Sequence, residues 1–175
     1  MEIPVSWSVY YNDTLNAAAA FGPRLRMLSV ALLPEYVNAT VPSDNFTASI
    51  PWSRASAATA AGMSALCYHF GVQVATAYPD LPVGLIANAW GGVAIQVYMS
   101  PAALAKCSAT RDDAPAPAAQ AMIEALAAAD VSARGTATAS PVKPSCLYNS
   151  MMHPILSVPV AALLWCAWCD VTRRC

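Results

Sequence analysis

A glycine doublet, Gly91-Gly92, follows an apolar run that ends at Trp90. The chain has only 7 glycines in 175 residues, so two adjacent ones indicate a local requirement. Glycine lets backbone N–H groups approach a ligand closely. The alternative is a turn between a strand and a loop that binds nothing.

A catalytic role would also need a nucleophile and a base. The only histidines are His69 and His153. We interpret His69 as a packed or surface residue, and His153 as a structural residue or part of a pocket wall. Ser56 and Ser64 lack the sharp strand-to-helix turn that presents a nucleophilic serine. The chain therefore contains no complete catalytic triad.

Six cysteines allow disulfides, but their pairing cannot be deduced from sequence. Cys67 lies in an apolar helical pattern and is interpreted as a buried free thiol. A redox dithiol at Cys166-x-x-Cys169 would need a helix N-terminus, and zinc would need four ligands where only Cys175 is nearby. A thiol redox or metal module is thus the least favoured alternative, and no metal or cofactor is expected. The remaining cysteines are Cys107 and Cys146.

An alternating segment that then turns apolar predicts a strand at 23–32, and apolar segments without a polar face predict strands at 82–89 and 158–165. Because helical segments separate them, we expect an α/β fold of three layers, α/β/α, with one sheet at its centre. Ligands of such sheets bind at the carboxyl ends of the strands. Gly91 and Gly92 follow the 82–89 strand and so lie at such an end.

One long helix is predicted between the first two strands. Its N-cap is Ser53 or Ser56, and Pro79 ends it. Gly62 and Gly71 within it permit a close approach to the sheet.

Shorter helices are predicted further along the chain. One begins with Ser100 as N-cap and Pro101 in the first position. Residues 108–145 are biased towards Ala, Pro and Thr and are interpreted as an insertion, in which 116–130 is helical. The last of these helices lies in the segment "LYNSMMHPIL", and Pro154 ends it.

The composition excludes several partners. The chain is 57% hydrophobic and 11% charged, with a net charge of −1. Its only basic run is Arg173-Arg174, so nucleic acid and anionic membranes are not expected partners. No apolar segment reaches the roughly 20 residues that span a bilayer.

Three N-glycosylation sequons favour a secreted or lysosomal, lumenal protein. The alternative is a chance cluster of Asn and Thr in polar loops. No signal peptide is visible, so the true start of a secreted chain is expected upstream. The acceptor asparagines are Asn12, Asn38 and Asn45.

Four sequence blocks carry a family resemblance: "MSALCYHFGVQV", "PVGLIANAWGGVAIQVYMS", "LAKC" and "LYNSMMHPIL". In order and spacing they resemble the sialate O-acetylesterase and carbohydrate acetylesterase family of the SGNH (GDSL-like) hydrolase superfamily. Three positions depart from the family pattern: Val93 replaces Thr, Gln96 replaces Glu and Tyr98 replaces Trp.

The resemblance implies an SGNH (flavodoxin-like) sheet and hydrolysis of O-acetyl esters on sugars such as sialic acid by a serine nucleophile. It also implies that an N–H group of Gly91 or Gly92 faces the oxyanion and that the Asn88 side chain assists. Trp90 and His153 are the expected pocket residues.

Other family blocks are missing. Residues 1–5, "MEIPV", resemble those that follow the family's serine, which would place the nucleophile two residues upstream of Met1. After Trp165 the family's Gln-Gly-Glu is absent, as is its Asp-x-x-His block. We therefore expect one partial domain over 1–175, with its first strand and C-terminal part missing.

The composition changes abruptly at 166–175, which we interpret as an aberrant tail. A fragment of this kind is expected to be inactive alone. The alternative function is a non-catalytic carbohydrate-binding or interaction protein that is derived from the esterase fold.

Overall fold

The computed structural model describes residues 3–109 and 143–165. The described residues belong to two compact units. The first comprises Met1–Leu32 and Phe46–Gly91, and the second comprises Leu33–Asn45 and Gly92–Cys175.

The first unit contains an open mixed sheet with strand order β2-β1-β3. β1 pairs in parallel with β3 and antiparallel with β2, so the α/β prediction is confirmed. The strands are β1 Leu25–Val30, β2 Ala48–Arg54 and β3 Val83–Ala87, and the helices are α1 Tyr11–Phe21, α2 Ala57–Ala61 and α3 Ala65–Ala77.

The core of this unit lies where the sheet meets the helices. Leu25 and Met27 of β1, Met63 before α3 and Tyr68 within α3 are all fully or almost fully buried. The parallel register aligns Leu25 with Val83 and Ser29 with Ala87, which brings the carboxyl ends of β1 and β3 to the same edge of the sheet.

The prediction of one long helix before Pro79 is wrong. Residues 48–54 form β2, and Gly62 to Ser64 separate α2 from α3. Pairing with β1 satisfies the backbone of 48–54, and Pro51 is tolerated because β2 is an edge strand with a register irregularity. Gly62 forms the C-cap of α2.

Ser56, one of the two predicted N-caps, caps α2. Its hydroxyl accepts from the Thr59 N–H at 3.2 Å, and its own N–H donates to Thr59 Oγ1 at 3.0 Å. These reciprocal bonds satisfy donors that the first helical turn leaves open. Ser53 instead donates its hydroxyl to the Pro51 carbonyl.

The second unit is built from short helical segments. α4, Pro101–Ala109, begins as predicted, with Ser100 Oγ accepting from the Ala103 N–H at 3.1 Å. The predicted helix before Pro154 is a π-helical turn, Tyr148–Met152, followed by a 3-10 turn, His153–Ile155. Further 3-10 turns are Pro34–Asn38 and Ile95–Tyr98.

The predicted strand at 158–165 is also wrong. In the structure these residues are exposed and form no regular element. The Val158 N–H, at their start, donates to the Ile155 carbonyl and closes a turn. An apolar run forms a strand only where a partner strand accepts its hydrogen bonds. The predicted helix at 116–130 and most of the 108–145 insertion lie outside the described residues.

None of the described helices combines the length and apolar character that a membrane crossing requires.

Candidate functional site

The loop after β3 carries the glycine doublet. β3 ends at Ala87, Asn88 and Trp90 are half-buried, and Gly91 and Gly92 are exposed. The loop therefore leaves the sheet at the carboxyl end of a parallel strand, the position where α/β sheets bind ligands.

Conformation explains the second glycine. Gly92 has φ 72°, in the left-handed region, and no atom lies within 4 Å of the position that a Cβ would occupy. A side chain would have space there, but its residue would be strained by the left-handed backbone conformation. The Gly91 and Gly92 N–H groups donate no hydrogen bond to any of the described residues, 3–109 and 143–165. Both groups are therefore available to a ligand.

The two candidate serines serve as helix caps. Ser64 is buried, and its hydroxyl accepts from the Cys67 N–H at 3.3 Å at the start of α3. Ser56 caps α2. Across the part of the chain that the structure describes, no hydrogen bond joins a serine hydroxyl to a histidine ring.

His69 lies exposed on α3, where its ring meets the edge of the Tyr68 ring with centroids 5.7 Å apart. This contact involves an aromatic ring and offers no carboxylate to orient a catalytic base.

His153 belongs to a polar cluster in the second unit. Its Nδ1 lies 3.1 Å from the Ser43 carbonyl oxygen and 3.9 Å from Asp44 Oδ1. Its ring also meets the edge of Tyr148. The ring thus lies next to residues 43 and 44.

Asn149 is a buried polar residue that the sequence analysis did not identify. Its Nδ2 donates to the Ala39 carbonyl at 3.1 Å, and its backbone carbonyl accepts from the Ser43 N–H at 2.8 Å. Ser145, in the left-handed region with φ 64°, donates its N–H to the Gln96 carbonyl. The only sequence signal for this cluster is the polar pair Asn149-Ser150 inside the apolar block "LYNSMMHPIL".

Burial raises the pKa of two described cysteines, Cys67 and Cys146. Cys67 is a free, partly buried thiol, and burial raises its pKa to about 11. Burial also raises the pKa of Cys146, although backbone hydrogen bonds and Lys143 oppose the shift. Cys67 is therefore a free thiol, as predicted, but it is partly rather than fully buried.

Among the described residues, no group of three or more His, Cys, Asp or Glu side chains could hold a metal ion. Cys166, Cys169 and Cys175 lie outside those residues.

The start of the described chain is held at the junction of α2 and α3. The Val5 N–H donates to the Met63 carbonyl at 3.0 Å, and the Ala65 N–H donates to the Ile3 carbonyl at 2.8 Å. Val5 is fully buried. Residues 3–5, the described part of the segment that resembles the residues after the family's serine, are thus a fixed part of the first unit.

Comparisons with known proteins give a consistent result. The chain is 29% identical to a sialate O-acetylesterase of Pongo abelii over 105 residues, which cover 59% of this chain and 16% of that protein. It is 27% identical to that of Mus musculus over 181 positions, covering 94% of this chain and 32% of that protein. No family model matches.

A carbohydrate acetylesterase from Xanthomonas citri is similar in structure. Its TM-score is 0.62 at 23% identity, with 91% of this chain and 28% of that chain covered. The resemblance to sialate O-acetylesterases and carbohydrate acetylesterases is therefore confirmed, as is the α/β fold. The chain spans a third or less of the curated relatives described here.

Proposed function

We propose, from this similarity to sialate O-acetylesterases, that the chain carries the oxyanion-binding part of a carbohydrate O-acetylesterase. Its substrates are acetyl esters on sugars of the sialic acid type. The observation that carries the proposal is the loop after β3, where two adjacent N–H groups have no acceptor among the described residues.

The loop would act when a serine attacks the acetyl carbonyl. As the serine oxygen bonds to carbon, the carbonyl oxygen gains negative charge and accepts hydrogen bonds from Gly91 and Gly92. The bond between the acetyl carbon and the sugar oxygen then breaks, the sugar oxygen takes up the proton that the serine hydroxyl lost, and water releases acetate from the acetyl-serine. Removing one oxyanion donor in enzymes of known mechanism costs about 10²–10³ in kcat.

Asn88 and Trp90 flank these donors. Both are half-buried, so they are held by the fold while remaining partly accessible. We assign Asn88 to support of the oxyanion and Trp90 to the wall of the acetyl-binding pocket.

The chain itself is proposed not to turn over acetyl esters. Its two histidines are His69, exposed on α3, and His153, whose Nδ1 faces a backbone carbonyl. Neither is paired with a serine in the described ranges, which also favours the second candidate function, binding of O-acetylated sugar without catalysis.

A secreted or lysosomal location completes the proposal. Asn12, Asn38 and Asn45 are all exposed, as glycan acceptors must be. Each would carry an N-linked glycan if the protein passes through the secretory pathway.

Calorimetric titration with O-acetylated and de-acetylated sialic acid, combined with an acetate-release assay, tests this function. We expect tighter binding of the acetylated sugar by the purified chain, loss of that preference in Gly92→Val, and no acetate release above background. Gly62→Val, remote from the loop in sequence, is the matched control. Equal binding of both sugars, or acetate release that a serine substitution within the chain abolishes, would refute the proposal.

A further inference from the structure

Three aromatic side chains are strongly exposed within five residues of the first unit. Trp7 and Tyr10 are each 79% exposed, and Tyr11 is 41% exposed. Val5, two residues before Trp7, is fully buried. A soluble domain rarely leaves such an apolar patch uncovered without a reason.

The backbone holds this patch in a defined conformation. Ser8 Oγ donates to the Val5 carbonyl at 2.6 Å, and the Ser8 N–H donates to the same oxygen at 2.9 Å. Tyr10 is the N-cap of α1 and lies in the left-handed region, with φ 61°. The rings are therefore presented by ordered structure.

The patch adjoins a sequon. Asn12-Asp13-Thr14 lies in the first turn of α1, and Asn12 is exposed. Since Tyr10 precedes Asn12 by two residues, their Cα atoms are at most about 7 Å apart. The first sugar of a glycan on Asn12 can thus reach the Tyr10 ring.

We propose that an N-linked glycan on Asn12 packs its first sugar against the Tyr10 ring, covering part of the patch and stabilising the first unit. The C–H face of a pyranose is apolar and matches an aromatic ring, while its hydroxyl groups remain in water. This inference rests on the proposed passage through the secretory pathway, not on ester hydrolysis.

The modification itself is a glycosyl transfer. The Asn12 amide nitrogen bonds to C1 of the first sugar of an oligosaccharide attached to a lipid pyrophosphate. The bond between C1 and the pyrophosphate breaks, the lipid pyrophosphate leaves, and the amide loses one proton.

The other two sequons provide internal controls. Asn38 also has a tyrosine two residues before it, but Tyr36 is only 8% exposed and cannot meet a sugar ring. Asn45 is preceded by Ser43 and Asp44. A stabilising contact is therefore predicted at Asn12 alone.

The full chain, directed into the secretory pathway of a eukaryotic host by an added leader, tests this inference. Glycopeptide mass spectrometry of secreted and retained chains reads the occupancy of each sequon. Thermal unfolding then compares the glycosylated chain with Asn12→Gln, Asn38→Gln and Asn45→Gln. We expect Asn12 to be occupied and Asn12→Gln to lower Tm by about 2–4 °C, the shift that one aromatic contact produces in a chain of this length. The other two substitutions should leave Tm unchanged.

A second variant identifies the contact. Tyr10→Ser in the glycosylated chain should abolish the Tm difference that Asn12→Gln produces, because the sugar then has no ring beneath it. An unmodified Asn12 in chains that carry glycans at Asn38 or Asn45 would overturn the inference. An occupied Asn12 whose loss leaves Tm unchanged, or a Tm difference that persists in Tyr10→Ser, would overturn it as well.

Discussion

Gly71 of α3 packs directly on the side chain of Leu85 in β3. A Cβ at position 71 would lie 2.8 Å from Leu85 Cδ2 and 3.0 Å from its Cγ, closer than carbon atoms pack. Leu85 is buried in the middle of β3, so it has little room to withdraw. The absence of a side chain at Gly71 therefore sets how closely the helix approaches the strand that leads into the Gly91-Gly92 loop.

Gly71→Ala should destabilise the chain. The added methyl overpacks the contact with Leu85, at a cost of about 1–3 kcal/mol. Urea unfolding measures the difference. Gly62→Ala is the matched control, because its Cβ would lie 3.6 Å from Ile50 Cδ1, an ordinary contact. Equal stability of Gly71→Ala and the wild type would contradict the packing described here.

Arg24 should contribute more to stability than Arg26. Arg24 Nη1 donates to the Ala75 and Pro79 carbonyls, at 2.7 Å each, at the end of α3. Losing a hydrogen bond from a charged donor costs about 1.5–3 kcal/mol. Arg24→Met should therefore lower the free energy of unfolding by about this amount.

Arg26→Met provides the comparison. Arg26 lies opposite Arg54 in the β1–β2 register, and like charges in that position destabilise a sheet. Arg26→Met should therefore leave stability unchanged or raise it slightly. If Arg26→Met were as destabilising as Arg24→Met, the helix-end contact would not be the cause.

The stability of the chain should fall as pH rises from 9 to 11, in part because of Cys67. Burial raises the pKa of this thiol from 9.0, its ordinary value, to about 11 in the fold. Between these values the unfolded state loses the thiol proton first, so deprotonation favours unfolding. Cys67→Ala should reduce this alkaline loss, measured by urea unfolding across that pH range.

The same burial predicts that iodoacetamide labels Cys67 slowly at pH 7–8 in the native chain and rapidly in denaturant. Peptide mapping by mass spectrometry distinguishes it from the other cysteines. Rapid native labelling, or an alkaline stability profile that is identical in Cys67→Ala, would contradict the assignment.

Sequence predicted some elements of the fold well, and physical context explains why. The unbroken apolar run at 82–89 and the glycines that follow it predicted β3 and its loop, because both signals are local. The edge strand β2 was missed because Pro51 and the Ser53 and Ser56 cap signals indicated a helix. Its partner β1 precedes it by some twenty residues, as the pairing of Ser29 with Ile50 illustrates.

The candidate site was predicted unevenly. The doublet was found, but the left-handed φ of Gly92 is visible only in the structure. Asn149 was missed because its burial depends on the Ala39 carbonyl, a contact between residues that are distant in sequence. Long-range polar contacts leave no periodic signal in a single sequence.

Position 92 should tolerate substitutions in the order Asn, Ala, Val. Because space is open around Gly92, the cost is conformational: Asn adopts a left-handed φ most readily, whereas Ala pays about 1–2 kcal/mol and Val more. Urea unfolding of the three variants measures this order. A Val variant as stable as the Asn variant would show that the loop does not require a left-handed residue.

The most direct test is an NMR titration of the ¹⁵N-labelled chain with O-acetylated sialic acid, followed at the amides of Gly91 and Gly92. De-acetylated sialic acid serves as the control ligand. We predict saturable shifts of both amide signals with the acetylated sugar, and smaller or no shifts with the control. Unchanged Gly91 and Gly92 signals at saturating acetylated sugar would contradict the assignment of this loop to an acetylesterase site.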